Sequence, residues 1–343
     1  VIVLNSKKLF YLKELKTNKS VSDNKITRLA IIGILILTIG LAHWITPTAP
    51  HYLHTFHVIF SKLFVLPIVL SAIWFEITGA VLSALIISII YIPHVFLQWG
   101  GPFPENVNQL GEVVTIWVVS ILSGIFSGIE KGALRKVAET HEGSLIAMIA
   151  ALDAREHNTE LHSLRVREYA LRIGLESGLD KHQMQILGQG ALLHDIGKIG
   201  IPDDILLKED PLDNQQRQVM QQHPQIGRKV LLTIPFLKET AEVVYCHHER
   251  YDGKGYPRGL RGDQIPLESR IFMAADVFDA LTSDRPYRKK LDYEQAKKEI
   301  TKESGSHFDP KVVNAFLRIS ATEWKKISKQ VSERAAYIIK PRL

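Results

Sequence analysis

The sequence predicts an all-α protein in two parts, four transmembrane helices followed by a helical bundle, and three observations predict it. Between Leu29 and Ile129 only Lys62, Glu76, Glu105 and Glu112 are charged, whereas the rest of the 343-residue chain is rich in charge. Beyond residue 156 apolar side chains recur at intervals of three and four, as in Val166, Tyr169, Ala170, Ile173 and then Met184, Leu187, Ala191, the period of a helix with one buried face. Strand-like alternation is nearly absent, and turn-forming residues fall between the periodic stretches, at Gly200–Asp203, Asp210–Pro211, His223–Pro224, Asp252–Pro257 and Gly262.

Residues 1–28 form a basic arm that is expected to be cytoplasmic, with seven Lys/Arg against Glu14 and Asp23. That arm supplies +5 of the formal +6, so the remainder is near neutral and a nucleic-acid polymer is excluded as a partner. Cys246 is the single cysteine, which excludes a disulfide scaffold and a Cys-rich zinc cage.

Residues 29–130 read as the transmembrane region. Leu29–Thr46 is an uncharged run close to the roughly 20 residues that span a bilayer. The stretch Ile59–Leu97 is too long for one span, and Glu76-Ile77-Thr78-Gly79 reads as a polar turn that divides it into spans two and three. A fourth runs from Val113 to Ile129, after the turn-rich Gly100–Pro104. Lys and Arg crowd the N-terminal arm and follow span four at Lys131, Arg135 and Lys136, while the other connections have none, so both ends face the cytoplasm. The expected place is therefore the inner membrane, multi-pass, in contact with the lipid bilayer. The first apolar run is too long for a signal peptide and lacks a small-residue cleavage site. Trp44, Trp74, Trp99 and Trp117 fit the two membrane interfaces, and Pro67 and Pro93 are positions where helices kink. His43, His51, His54, His57 and His94 read as interfacial and loop residues without a ligand; binding of haem or metal, or pH sensing, is the alternative.

Residues 131–156 continue as a helical stalk, with Leu134, Val137, Leu145, Ile146, Met148 and Leu152 on an apolar side that suits a second copy of the chain. A homodimer through the stalk and membrane helices is expected. Residues 157–320 form the catalytic domain and 321–343 a C-terminal tail.

The chemistry lies in His194-Asp195-Ile196-Gly197-Lys198, followed by His223, His247-His248 and Asp276. Successive candidates are 29, 24 and 28 residues apart, the repeat of a helix plus its loop, so each comes from a successive helix and points into the centre of one bundle. Imidazole and carboxylate without thiolate suit Mn, Fe or Zn. Neighbours on a helix project about 100° apart, so the pairs His194-Asp195 and His247-His248 suit ligands divided between two close ions, with Asp195 bridging and Asp276 closing the cage. Two ions about 3.5–4 Å apart lower the pKa of a shared water and hold both the attacking and the leaving oxygen of a phosphodiester. Phosphoryl hydrolysis is the chemistry this predicts. Lys198, one turn after His194, lies on the same helical face and suits a phosphate oxygen; Arg285 and Arg288 offer a second positive fork. Taken singly, each residue has a plain structural role, as a helix start at His223, exposed polar residues at His247-His248, a surface lysine or a charged loop. Their joint spacing is what favours metal.

Four long motifs in order resemble the HD-GYP domain: His194–Asp203, His223-Pro224-Gln225-Ile226-Gly227, His247–Pro257, and Ala275–Leu281 through Arg288; His307-Phe308-Asp309-Pro310 matches its closing motif. The match covers about Ser144 to Ser320. The resemblance implies a helical HD-superfamily hydrolase that cleaves cyclic di-GMP, a bacterial second messenger, to linear pGpG and in some members GMP, with two divalent ions, iron or manganese. It places metal ligands on His162, His194, Asp195, His223, His247, His248 and Asp276, and catalytic roles on Asp195 and Lys198. Substrate contacts fall on Lys198, Arg285, Arg288 and Tyr256, the last in the Gly255-Tyr256-Pro257 loop at the pocket rim or a partner surface. Some members hold a third ion through a Glu four residues before the first histidine, where this chain has Asn158; this favours two ions and leaves open whether cleavage goes on from pGpG to GMP. Asp210 stands where the family usually has Gly. The expected function is a membrane-anchored cyclic di-GMP phosphodiesterase with a membrane sensory input. The alternatives are a non-catalytic receptor for cyclic dinucleotides and a hydrolase of another one, such as mixed cyclic GMP-AMP.

Overall fold

The computed structural model describes residues 19–46, 51–98, 103–155, 161–284 and 289–339. Among these residues there are helices and two isolated bridges, Asp252 with Arg261 and Ser304 with Phe308, and no strand. The chain divides into two units between Thr140 and His141.

The first unit holds α1 (Lys19–Ile45), α2 (His51–Leu63), α3 (Val65–Gln98) and the first part of α4 (Phe103–Arg155). Three segments are long and apolar enough to cross a membrane, Lys25–Ile45, Thr55–Phe96 and Leu110–Arg155, rather than the four expected. The count differs because Thr55–Phe96 is a single apolar segment of 42 residues in which two helices meet at Glu76, where the turn was expected, with no loop between them. The one residue inside α3 that leaves helical geometry is Glu76, at φ 59° and ψ −147°. The hydroxyls of Ser71 and Ser83, 12 residues apart, lie 2.6 Å from each other, whereas straight helix would separate them by about 18 Å; the chain doubles back at Glu76. A charge among apolar helices is costly unless paired, and three of them are paired here: Glu76 lies 3.5 Å from Lys131 and from Arg135, and Lys62 meets Glu112. Ile36, Phe64, Ile68, Ile87, Tyr91 and Ile116 fill the core, while Ile34, Leu37, Leu82, Ile89 and Phe126 are exposed, a surface suited to lipid. Trp44 and Trp117 each donate an indole N–H across helices, to the Ile90 carbonyl and the Ser88 hydroxyl, both at 3.1 Å. Trp99 lies outside the described residues.

The second unit continues with the end of α4, α5 (His162–Glu176), α6 (Lys181–Leu193), a 3-10 turn (Ile196–Gly200), α7 (Asp203–Leu206), α8 (Asn214–Met220), α9 (His223–Leu232), α10 (Thr240–Cys246), α11 (Leu267–Thr282), α12 (Tyr293–Lys302), α13 (Pro310–Leu317) and α14 (Ala321–Ile339). Asp-x-x-Gln boxes start α6, α8 and α12: Asp180, Asp213 and Asp292 accept the backbone N–H of Gln183, Gln216 and Gln295, whose side chains accept in return. Each cap stabilises its helix by about 1 kcal/mol.

Two expectations are corrected in this unit. Leu145 and Leu152, expected to face a second copy, are buried, and Leu145 packs with Ile149 on Leu192, Leu193, Ile196, Leu231 and Val244. That side of α4 is needed to complete the bundle's own core, and only Leu134, Val137 and Met148 of the expected stripe stay exposed. Arg155 pins the end of α4 by donating to the carbonyls of Lys198, Ile199 and Ile201 and to the Asp203 carboxylate. Residues 321–339, within the segment read as a C-terminal tail, are helical. They form α14, whose Trp324 is 3% exposed and sits with its ring centre 5.2, 4.7 and 5.3 Å from Tyr169, Phe278 and Phe316.

Candidate metal centre

Helix ends, more than helix middles, deliver the candidate ligands. His162 and His223 are the first residues of α5 and α9, His194 and His247 cap the C-termini of α6 and α10, and Asp195 opens the 3-10 turn; only Asp276 lies inside a helix, α11. Two groups form, His223 with His247 and His248, and His162 with His194 and Asp276, the ligand atoms of each lying within 4.8 Å of one another. Either group could hold a metal ion.

Asp195 stands between them. Its Oδ1 is 3.4 Å from His223 Nε2 and 3.9 Å from His247 Nε2, while Oδ2 is 3.1 Å from His194 Nε2 and 2.8 Å from Lys198 Nζ. Burial opposes a charge on Asp195, but His194 and Lys198 outweigh it and hold the carboxyl well below the usual range. Asp276 is lowered in the same way, by His162 against burial. Both carboxylates are therefore ionised and available to a cation.

Ring orientation is fixed from behind. The Nδ1 atoms of His194, His223 and His247 each face a carbonyl three residues earlier, those of Ala191, Met220 and Val244, at 2.9, 2.8 and 2.6 Å. A carbonyl only accepts, so Nδ1 carries the proton and Nε2 is aimed at the centre. His162 Nδ1 faces Asp279 Oδ2 at 2.8 Å, and Arg165 donates to both oxygens of Asp279. Burial works against a charge on His162, yet Asp276 and Asp279 together push its pKa up to about 10.

One contact calls for a cation. His223 Nε2 and His247 Nε2 are 3.1 Å apart. Burial lowers the pKa of both rings, and at His247 the neighbouring imidazoles of His248 and His223 lower it further. Both are neutral near pH 7 with their protons on Nδ1, so two lone pairs face each other with no hydrogen between. Ligands at right angles on one ion about 2.0–2.1 Å away stand roughly 3 Å apart, and such an ion removes the repulsion. His248, lowered to about 4 chiefly by burial and then by His223, is also neutral.

Two glycines allow the close packing. A Cβ on Gly197 would lie 1.8 Å from the His223 carbonyl oxygen, and one on Gly255 would lie 2.3 Å from the Arg250 nitrogen, so the 3-10 turn and the Gly-Tyr-Pro loop approach their neighbours only as glycine. The loop is tied down by Glu249, fully buried, whose carboxylate accepts from the backbone N–H of Arg258 at 2.7 Å and Leu260 at 2.9 Å. Tyr256 then stacks on His248, ring centres 4.7 Å apart.

The structure thus gathers His162, His194, Asp195, Lys198, His223, His247, His248, Asp276 and Tyr256. Lys198 differs from expectation in its support, because α6 ends at Leu193 and the lysine rides the 3-10 turn. Arg285, Arg288 and Asn158 lie outside the described residues. Sequence reasoning passed over Asp279, Arg165 and Glu249 as site residues. Two had a signal: Asp279 follows Asp276, and Arg165 follows His162, by three residues, a spacing that shares a helix face. The three carbonyl partners have none.

Residues 144–312 match the HD domain family. The chain is similar to a cyclic di-GMP phosphodiesterase of Thermotoga maritima, 43% identical over 167 residues that cover 48% of this chain and 45% of that protein. A cyclic di-GMP phosphodiesterase of Vibrio cholerae is 37% identical over 199 residues, 54% of this chain and 40% of its own length. A 3'3'-cGAMP-specific phosphodiesterase 2 of the same organism is 37% identical over 181 residues, 52% and 35% respectively. The chain spans half or less of the length of these curated relatives.

Proposed function

We propose that this chain is a metal-dependent phosphodiesterase that opens cyclic di-GMP to linear pGpG, held in a membrane by its apolar half with the HD half in the cytoplasm. The observation that carries this reading is Asp195, one carboxylate with its two oxygens facing two separate groups of ligand side chains. A carboxylate so placed suits a pair of ions, one on His223, His247 and His248 and one on His162, His194 and Asp276. Imidazole and carboxylate donors suit iron or manganese, and two such ions would activate a water and offset the charge of a phosphodiester. The chain's own part is to aim each Nε2 and to supply positive charge: Lys198 Nζ, 2.8 Å from Asp195, is placed to neutralise a phosphate oxygen. Arg285 and Arg288 complete the phosphate grip in this reading, and Tyr256 lies against the substrate at the rim. Asn158, an amide where a third ion needs a carboxylate, favours one cleavage and an end at pGpG.

The names of the relatives support the substrate class, and the cGAMP-specific one favours a second reading, a mixed cyclic dinucleotide. The cytoplasmic side is supported by the basic arm and by Lys131 and Arg135, which gather at the Glu76 bend. The test is turnover by the full chain, purified in detergent without oxygen and loaded with Fe(II) or Mn(II), on cyclic di-GMP and on cyclic GMP-AMP. Accumulation of pGpG, lost in Asp195→Ala, is the expected result. Tight binding without a linear product would make the chain a receptor, and faster turnover of the mixed dinucleotide would favour the second reading.

A further inference from the structure

The apolar unit contains a second cluster of imidazoles, outside the HD half. His43 near the end of α1, His57 in α2 and His94 near the end of α3 come from three helices and are 0, 1 and 1% exposed. Ring centres lie 4.0 Å apart for His43 and His57, 4.6 Å for His43 and His94, and 5.1 Å for His57 and His94. One nitrogen from each lies within 4.8 Å of the other two.

Among the described residues, neither nitrogen of His94 has a hydrogen-bond partner. Buried polar side-chain atoms are nearly always satisfied, and each exception needs a reason. Filling space is a poor one, since phenylalanine or leucine fills a helix bundle without leaving a polar atom unpaired. The surroundings are aromatic: Tyr91 stacks on His43 and Trp44 leans on His94, both with ring centres 5.0 Å apart, and Phe64 meets His43 edge-on.

The donor set selects the ligand class. Three imidazoles without carboxylate or thiolate disfavour calcium and magnesium, which take oxygen ligands, and suit zinc or copper with a position left for water. Haem does not fit. The His43 and His57 rings face each other at 4.0 Å with 29° between their planes, which is van der Waals contact, and a macrocycle cannot pass between them. Nitrogens bound to one ion at about 2.0–2.1 Å in tetrahedral geometry are roughly 3.4 Å apart, a span that small ring rotations reach from the observed cluster.

We propose that His43, His57 and His94 bind one divalent transition-metal ion, zinc or copper, within the apolar half of the chain. Coordination takes one nitrogen from each of α1, α2 and α3 and so fixes the three helices to one another. This site does not depend on the phosphodiesterase reading.

The test uses the full chain in detergent, carrying His162→Ala, His194→Ala, Asp195→Ala, His223→Ala and His247→Ala to disable both ligand groups of the second unit, stripped with a chelator and then titrated with Zn(II) or Cu(II). Bound metal is counted after gel filtration, and X-ray absorption at the metal edge reads the ligands. The expected result is one tightly held ion per chain with a nitrogen-rich shell, and a loss of affinity of at least about tenfold in His43→Ala and in His94→Ala. Because either variant could disturb packing, the edge spectrum of the chain with intact His43, His57 and His94 stands as an independent readout of imidazole ligation. No retained metal, an oxygen-dominated shell, or binding unchanged in both variants would overturn the proposal. Failure of cyclic di-GMP hydrolysis would leave this result untouched.

Discussion

The two histidine clusters of this chain are built from the same ring and differ in what stands behind it. In the HD half, His194, His223 and His247 each rest Nδ1 on a backbone carbonyl, His162 rests on Asp279, and Asp195 and Asp276 bring negative charge among the rings. In the apolar half, His94 has no such support among the described residues, and the cluster there contains no carboxylate. Two divalent ions side by side repel strongly in a low-dielectric interior, so only a centre with bridging anions holds a pair. A trio of imidazoles without an anion suits one ion at most. Charge balance and ring anchoring, more than burial, separate the two clusters.

The largest expected effect breaks the comparison at its anion. Asp195→Ala removes the carboxylate between the two groups, and hydrolysis of cyclic di-GMP should fall by at least about a hundredfold, since groups that merely support metal ligands are worth roughly 10–100-fold. His94→Ala, measured beside it with Fe or Mn saturating, should keep turnover of the same order; an equal loss would mean that the clusters do not act separately. Next comes the anchor behind His162. Asp279→Asn keeps the shape and removes the charge, and metal affinity of the HD half should drop about 10–100-fold, read by competition with a chelator.

A smaller effect is expected at the rim. Glu249→Gln weakens two hydrogen bonds from backbone N–H groups to a buried carboxylate, and thermal unfolding should show a loss of about 1.5–3 kcal/mol in the HD half. The smallest is a pH effect at Asp252, whose pKa is lowered to about 2 chiefly by hydrogen bonds from Arg250. A carboxyl lowered in the folded state adds stability above its unfolded pKa of about 3.9 and loses it as pH falls towards 2. Asp252→Asn should flatten that acid limb by less than about 1 kcal/mol, because the pair is partly exposed. Melting curves at pH 7, 4 and 2 would read the difference.

Much of the HD half was legible because its signals are local. The three-and-four spacing of Val166 to Ala191 and the histidine and aspartate motifs lie within a few residues of what they specify, as do the capping boxes at Asp180, Asp213 and Asp292, which were not read as such. What was missed depends on distant packing. Leu145 and Leu152 look the same in sequence whether they face a second copy or their own bundle, and the buried seat of Trp324 exists only once α5, α11 and α13 are assembled. The apolar half shows the same limit: a polar turn at Glu76 was readable from composition, whereas the number of membrane-length segments, and the meeting of His43, His57 and His94 from three helices, were not.

The most direct test of the central claim is electron paramagnetic resonance of the full chain loaded with Mn(II) in the HD half. Asp195 between two ligand groups requires two manganese ions close enough to couple, and the expected spectrum is that of an exchange-coupled pair that becomes uncoupled in Asp195→Ala. A spectrum of isolated Mn(II) at full loading, unchanged by that substitution, would contradict it.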